Sequence, residues 1–452
     1  MISQIEIKNF KSLKKVSVKT KNLNVLMGLN GMGKSSFIQM LLLLMQSDKL
    51  EERVIDLNGI LVQIGQGRDA LYQYAEEDNI EFGLNFGYDT VENIFTKYLE
   101  KNNQRKTPER FAILKEIYST DDTFDIDTLY DRMKTKNHRV SPATLYNTIE
   151  LLLNCNLVIK NQSKDNREQY EKAKYPVFNW KFLYQKDKDK LTAEFGYRKT
   201  AMEFFRSQTK KFQYISAERI GPQDLYEASS IIVSDKKQLG LLGEYAAYFI
   251  NVFGSEYNVK EELRHPKATS EKLNAQLNAW LSEIISPGVS LNTKYIPEVN
   301  KVILDYQFDL GNSKTNSFRP KNVGFGISYV LPIVLVLLTA EENKIIVIEN
   351  PESHIHPRGQ AELGKLISLA AQTGAQLFIE THSDHILNGI RVAVKENSID
   401  KSDVNIMYFD KVTTDKEQYS SVKHIEIDNN GELSEYPKDF LDEWSNQLLK
   451  LI

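Results

Sequence analysis

One stretch near the start of the chain, Val25-Leu26-Met27-Gly28-Leu29-Asn30-Gly31-Met32-Gly33-Lys34-Ser35-Ser36, carries its most specific chemistry. It matches the pattern G-x-x-x-x-G-K-[ST] residue for residue. Glycines at 28, 31 and 33 let the backbone curl until successive N–H groups converge, and the following helix adds its positive end, so the loop is an anion cradle. Lys34 would reach the β- and γ-phosphates of a nucleoside triphosphate, Asn30, Gly31, Gly33 and Ser36 would line them, and the Ser35 hydroxyl would ligate Mg²⁺.

Three later stretches offer groups that complete such a site. Val323-Gly324-Phe325-Gly326-Ile327-Ser328 precedes an apolar helix, and its exposed backbone donors make Gly324, Gly326 and Ser328 phosphate-binding candidates. Ile345-Ile346-Val347-Ile348-Glu349 reads as a buried strand ending in a carboxylate, which suits Glu349 to hold Mg²⁺ through water and to act in catalysis. A base that activates water is due just beyond it, but Asn350 cannot accept a proton at neutral pH, and Glu352 is the nearest other carboxylate. A further strand, Ala375 to Glu380, ends at Thr381-His382-Ser383, where His382 would approach the γ-phosphate and Ser383 would cap a helix. His354 and His356 lack a third ligand at sensible spacing and read as a loop rather than a metal site.

The elements that must position these groups are legible around them. Asn24 to Met27 is an apolar strand and Ser36 to Met45 a long apolar helix, the strand–loop–helix context that the phosphate motif needs. Ile2 to Ile7, Lys14 to Val18, Ile80 to Phe86, Phe178 to Phe182 and Leu191 to Tyr197 read as strands, and Leu239 to Val252 and Ser270 to Ile285 as helices. No heptad pattern is sustained, which excludes a long coiled-coil arm. Gln63 and Gln66 are both candidates for a glutamine that senses Mg²⁺.

The whole chain has 452 residues, 41% of them hydrophobic and 26% charged, an ordinary globular balance with room for two or three domains. Its net charge of −4 gives no general attraction to nucleic acid or anionic lipid. The lone Cys155 excludes an intrachain disulfide, and the first residues alternate like a strand without the apolar core of a signal peptide, so a cytoplasmic location is expected. The apolar runs Leu41 to Met45 and Val330 to Ala340 fall short of the roughly 18 residues of a membrane span.

Between about Val91 and Lys174 the pattern changes. After the polar linker Lys101 to Lys106, Thr107-Pro108 opens a helix, Ile126 to Met133 forms a second, and Ser141-Pro142 caps a third that continues through Leu152. Leu157 to Ile159 reads as a strand, and the charged run Lys160 to Lys174 as a hairpin wing. The segments T-P-E-R-F-A-I-L, D-T-L-Y-D-R-M and V-S-P-A-T-L-Y-N-T-I-E-L-L resemble the DNA-binding half of ferric-uptake-regulator repressors from Thr107 to Lys160. That resemblance implies a winged helix-turn-helix whose Ser141, Thr144, Tyr146, Asn147 and Thr148 face a DNA groove. It does not carry over metal sensing, because the family's His/Cys clusters and dimerisation half are missing. A protein-binding or spacer role is the alternative.

In order, the phosphate loop, G-x-G-x-S, E-N-P-E and T-H-S resemble the ABC-type ATPase heads of the SMC, RecF and OLD families. The E-N-P-E-x-H-x-H-P loop and F-x-E-T-H-S strand are most similar to ATPase subunits of bacterial antiphage systems such as Septu and PARIS. The implied fold is α/β, a P-loop ABC-type ATPase head split by an inserted winged helix-turn-helix domain. Its expected parts are residues 1–95, 96–175 and 176–430, with a small C-terminal element at 431–452 around Tyr436 to Trp444. The resemblance implies ATP and Mg²⁺ as cofactors, with ATP capped by Gly324 to Ser328 of a second copy, so that heads associate as dimers or larger assemblies. It also implies slow hydrolysis, since Asn350 stands where the base is due, and a sensor or scaffold role in defence beside a separate nuclease. The alternatives are an ATP-dependent DNA-binding regulator and a RecF-like repair ATPase.

Overall fold

The structure is a computed structural model, and it describes residues 1–47, 50, 54–86, 88–120, 123–136, 138, 140–155, 157–162, 168–172, 177–194, 205–206, 209–437 and 447–451. The chain divides into two compact units, one of residues 1–6 with 82–179, the other of residues 7–81 with 180–452.

The larger unit is built on a six-stranded sheet. In spatial order its strands are Gln418–Ile425, Val404–Thr413, Leu23–Met27, Gln376–Glu380, Ile345–Glu349 and Phe212–Ile215. Five of these run parallel and only Gln418–Ile425 is antiparallel to its neighbour. Parallel strands need cover on both faces, and the sequence meets that need with near-continuous apolar runs: Val25, Leu26, Ile346 to Ile348 and Leu377 to Ile379 are fully buried. Helix Phe325–Leu338 is apolar on nearly every side, which fits its place inside the core.

Helices Pro357–Gln372 and Asp384–Lys395 approach each other through glycines on both sides. A methyl group on Gly364 would stand 2.3 Å from the Ile386 carbonyl oxygen, and one on Gly389 would stand 2.1 Å from that of Ala361. Neither helix can carry a side chain there, so the pair is locked at backbone contact.

One expected helix is shortened. Leu239 to Val252 was to be helical throughout, but only Ala246–Phe253 forms a helix there. The residues before it turn at Gly240 and Gly243, whose φ values of 79° and 73° suit only glycine at low cost, and Gly243 lies against Pro332.

The smaller unit contains helices Tyr88–Lys101, Pro108–Tyr118, Ile126–Thr135 and Pro142–Asn154, then the antiparallel pair Val158–Gln162 and Glu168–Lys172. The first was not anticipated: the expected change of character near Val91 falls inside a helix, and the expected polar linker Lys101 to Lys106 begins at its last residue. Phe95, Leu114, Leu129, Leu145, Leu152 and Tyr170 share one core. Asp125 and Ser141 cap their helices by accepting the backbone N–H groups of Thr128 and Thr144. Thr107 stands at its cap position without such a bond, and Pro108 occupies the first turn instead. The hairpin tip at 163–167, residues 173 and 174 of the expected wing, the end of the expected strand at Tyr197 and the stretch Lys438 to Trp444 lie outside the described residues.

Gly389→Ala forces a methyl group onto a backbone oxygen and should destabilise the larger unit by about 1–3 kcal/mol. A chemical denaturation curve checks this; an unchanged midpoint would mean that the helix pair can part without cost.

Candidate functional site

The strand Leu23–Met27 delivers the chain into the phosphate loop, and the helix Lys34–Gln46 leaves it with Gly33 at its cap. Gly28, Gly31 and Gly33 all have positive φ, at 132°, 76° and 105°. At Gly28 a side chain would also collide with the Phe409 carbonyl oxygen at 2.2 Å, and at Gly33 with the Ser420 side chain at 2.5 Å. The loop is therefore seated against the strands Val404–Thr413 and Gln418–Ile425, and Gly28 and Gly33 are required twice over, whereas Gly31 is required by its φ alone. Asn30 and Gly31 are exposed at its tip, and Ser36 is half-buried behind it.

Lys34 folds back over this loop. Its ammonium is 3% exposed and donates to the carbonyls of Gly28 and Leu29, each at 2.9 Å. Burial lowers its pKa, and the carboxylates of Glu380 and Glu352 oppose that shift. The Ser35 hydroxyl donates to Glu380 at 3.1 Å.

Glu380 was legible only as the end of a strand, yet it is the carboxylate in contact with Ser35. The parallel register sets Glu380 directly beside Glu349 at the carboxyl end of the sheet. Burial and the Glu349 charge push Glu380 up to about 7. Burial also raises Glu349, whose Oε2 accepts the Ala217 N–H at 3.3 Å. The rule that pointed to Glu349, a carboxylate closing a buried parallel strand, applies equally to Glu380.

Arg219 is the other residue that sequence reasoning passed over. It sits just after the strand Phe212–Ile215 and is 4% exposed. Its guanidinium donates to the carbonyls of Glu349 and Asn350, each at 2.7 Å, and to that of Ser216 at 3.0 Å. It also lies over the Tyr329 ring at 6.0 Å. Burial lowers its pKa to about 10, so it stays charged at neutral pH. The signal was a lone basic residue in Ser216-Ala217-Glu218-Arg219-Ile220-Gly221-Pro222, directly after a buried strand.

Asn350 adopts φ 44°, and its side-chain oxygen is buried without a hydrogen-bond partner. Glu352 is tied on both oxygens: it accepts the Thr381 hydroxyl and the His382 backbone N–H, each at 2.8 Å. It therefore joins the turn after one strand to the turn after the next and sets the position of His382. The exposed His382 imidazole is held below the usual histidine range by desolvation and by the Lys34 charge. Ser383 caps the helix Asp384–Lys395 as expected.

The G-x-G-x-S element needs correcting in one residue. Helix Phe325–Leu338 begins earlier than expected, which puts Ser328 inside its first turns rather than at its cap. Ser328 is 4% exposed, with its hydroxyl unpartnered near Tyr226 and Tyr306, so it presents nothing at the surface. Gly326 is required because a side chain there would meet the His354 carbonyl oxygen at 2.5 Å, whereas Gly324 is exposed and unobstructed. His354 stacks near Tyr329 and His356 caps the helix Pro357–Gln372 through its own ring nitrogen. Gln66 is engaged in the cap of the short helix Gly67–Ala70, while Gln63 is exposed and pairs with Asn58 in an isolated antiparallel bridge.

The arrangement fits a nucleoside triphosphate with Mg²⁺. A glycine cradle in which Gly28 and Gly33 leave no room for a side chain, a buried lysine and a hydroxyl facing paired carboxylates are the groups such a ligand needs. Among the described residues no cluster of three or more His, Cys, Asp or Glu could hold a metal alone. Mg²⁺ in phosphate loops needs none, since phosphates and water supply most of its ligands.

In metal-free protein, Glu380 has a folded pKa above its unfolded value, so its contribution is complete at low pH and is lost as pH rises through about 7. Glu380→Gln should then match wild type in melting temperature near pH 4.5 and exceed it at pH 8; parallel melting curves for the two across that range would refute the assignment.

A stretch of 160 residues is 28% identical to a probable potassium transport system protein Kup of Clostridium perfringens, covering 35% of this chain and only 21% of that protein. The SMC head domain from Thermotoga maritima aligns at a TM-score of 0.38 with 9% identity over 94% of this chain and 99% of that one. The ferric uptake regulator of Vibrio cholerae aligns at 0.17 with 13% identity over 25% of this chain and 82% of that one. Residues 399–451 match a family described as a protein of unknown function, DUF3696. Among the described residues no helix is long and apolar enough to cross a membrane. The family of the AAA ATPase domain matches residues 1–387, more than four-fifths of the sequence, and the chain belongs to that family of ATPases.

Proposed function

We propose that this chain is a Mg²⁺-dependent ATPase of low turnover that acts as a nucleotide-gated switch. The observation that carries this reading is the state of the two groups nearest the expected base position. Asn350 has no basic atom, and both oxygens of Glu352 are engaged by Thr381 and His382. Ser35, with Glu380 and Glu349, would hold Mg²⁺, which would neutralise charge at the phosphates. Lys34 then orients the terminal phosphoryl group, and Arg219 keeps the strand end that carries Glu349 in place. With water poorly activated, the bound state persists long enough to be read by a partner.

ATP held by Gly28 to Ser36 of one copy would be capped by the Gly324 element of another. The exposed Gly324 and the 62% exposed Phe325 at that helix start support such a contact. The E-N-P-E-S-H-I-H-P loop and the F-I-E-T-H-S strand favour service as the sensor or scaffold of an antiphage system with a separate nuclease. A second reading, a DNA-binding regulator or repair ATPase, is favoured by the smaller unit if its helices and hairpin work as a winged helix. Tyr146, at 57% exposure, and the neighbouring Asn147 suit a groove, but Thr148 is fully buried, bonds the Thr144 carbonyl and cannot face DNA.

Two measurements test the switch. The mass of the protein in solution should rise on adding ATP and Mg²⁺, and Lys34→Ala should abolish both nucleotide binding and that rise; association that ignores nucleotide would end the proposal. Asn350→Asp keeps a side chain that tolerates positive φ while adding a carboxylate. Its steady-state ATP turnover should increase on the order of tenfold or more, and a variant no faster than wild type would show that the missing base is not what limits hydrolysis.

A further inference from the structure

At the opposite end of the strands that carry the candidate site lies a cavity of about 670 Å³ with an unusual wall. Lys210, Lys211, Lys236, Lys237 and Lys344 line it against only two acids, Asp235 and Glu341. Glu341 is already committed to Lys211 at 2.9 Å. Among the described residues Lys210, Lys236 and Lys237 have no carboxylate within ion-pair distance.

Lys344 differs from a solvated surface lysine. It is 8% exposed, and its ammonium reaches only the Thr339 carbonyl at 3.2 Å and the Thr339 hydroxyl at 3.4 Å. Burial pushes it down to about 8, with Glu341 opposing the shift. A buried ammonium held by neutral oxygens alone is costly, and an arriving anion relieves that cost. The lining also includes Phe249, Phe253 and Tyr257, the two phenylalanine rings 4.8 Å apart. The volume lies within the usual range for small-molecule sites.

We propose that this cavity is a second ligand site for a small phosphorylated molecule bearing a planar ring, of the nucleoside monophosphate class. The phosphate sits among Lys236, Lys237 and Lys344, and the ring lies against Phe253 and Tyr257. Size selects a mononucleotide over a polymer, and the one-sided charge selects the phosphate end. The site is distinct from the phosphate loop: Lys344 immediately precedes the strand Ile345–Glu349, whose far end, roughly 16 Å away at about 3.3 Å per residue, carries Glu349. A ligand here therefore touches the start of the strand whose end faces the ATP site.

The test uses the full chain carrying Lys34→Ala, which silences the phosphate loop, titrated by calorimetry with AMP, inorganic phosphate and adenosine. AMP should bind saturably, with phosphate and adenosine each at least about tenfold weaker. Adding Lys236→Glu and Lys237→Glu, both exposed and outside the core, should abolish AMP binding. The same pair of reversals in a chain with native Lys34 should leave ATP binding and melting temperature unchanged. If Lys34→Ala does not fold, AMP is titrated into the wild-type chain and into the Lys236→Glu, Lys237→Glu chain, and the binding lost between the two isotherms gives the same readout. No saturable AMP binding, binding that survives the two reversals, or phosphate bound as tightly as AMP would each overturn the proposal.

Discussion

The structure depends on one juxtaposition: parallel strands in register leave the carboxylates of Glu349 and Glu380 side by side at the end of a buried sheet. Two like charges in a desolvated place repel, and the surroundings answer that repulsion from several directions. Lys34 offsets Glu380 from below, the Ser35 hydroxyl donates to it, and the Ala217 N–H donates to Glu349. What remains uncompensated is a local excess of negative charge beside a loop built to hold phosphate, and a divalent cation is the natural neutraliser. The cradle and the carboxylates thus suit a metal and a nucleotide bound together.

The neighbouring turns continue this logic with backbone groups. Arg219 spans from one turn to the carbonyls of two successive residues, and Glu352 reaches from that second turn to the Thr381 hydroxyl and the His382 N–H of a third. Three strand ends are joined by two side chains. The three turns are therefore held at fixed spacing around the phosphate loop.

Much of this was legible in the sequence, and the failures have physical causes. The phosphate loop, the apolar strands and the helix after the loop follow from residue type and period alone, because Gly28, Gly33 and Lys34 have few other uses at that spacing. Glu380 went unassigned because one strand-end carboxylate satisfied the expectation, and nothing local reveals which strand lies next to the loop. Pairing order is a long-range property: residue 26 stands beside residue 380, not beside 349. Arg219 was hidden for the same reason, since its partners lie 130 residues onward. Ser328 misled because a serine after two glycines resembles a cap, and only the helix start at Phe325 reveals that it is already inside. The helix Tyr88–Lys101 is different, because its period was there to read in Val91, Ile94, Phe95, Tyr98 and Leu99.

Arg219 grips main-chain carbonyls rather than the carboxylates it passes. Every residue has a carbonyl, so this brace is indifferent to what side chain stands at positions 349 and 350. Chemistry at the strand end can therefore be altered by evolution or by design while the frame beneath it stays the same. A new side chain at the end of this strand would therefore meet a frame held by main-chain bonds that it does not itself supply.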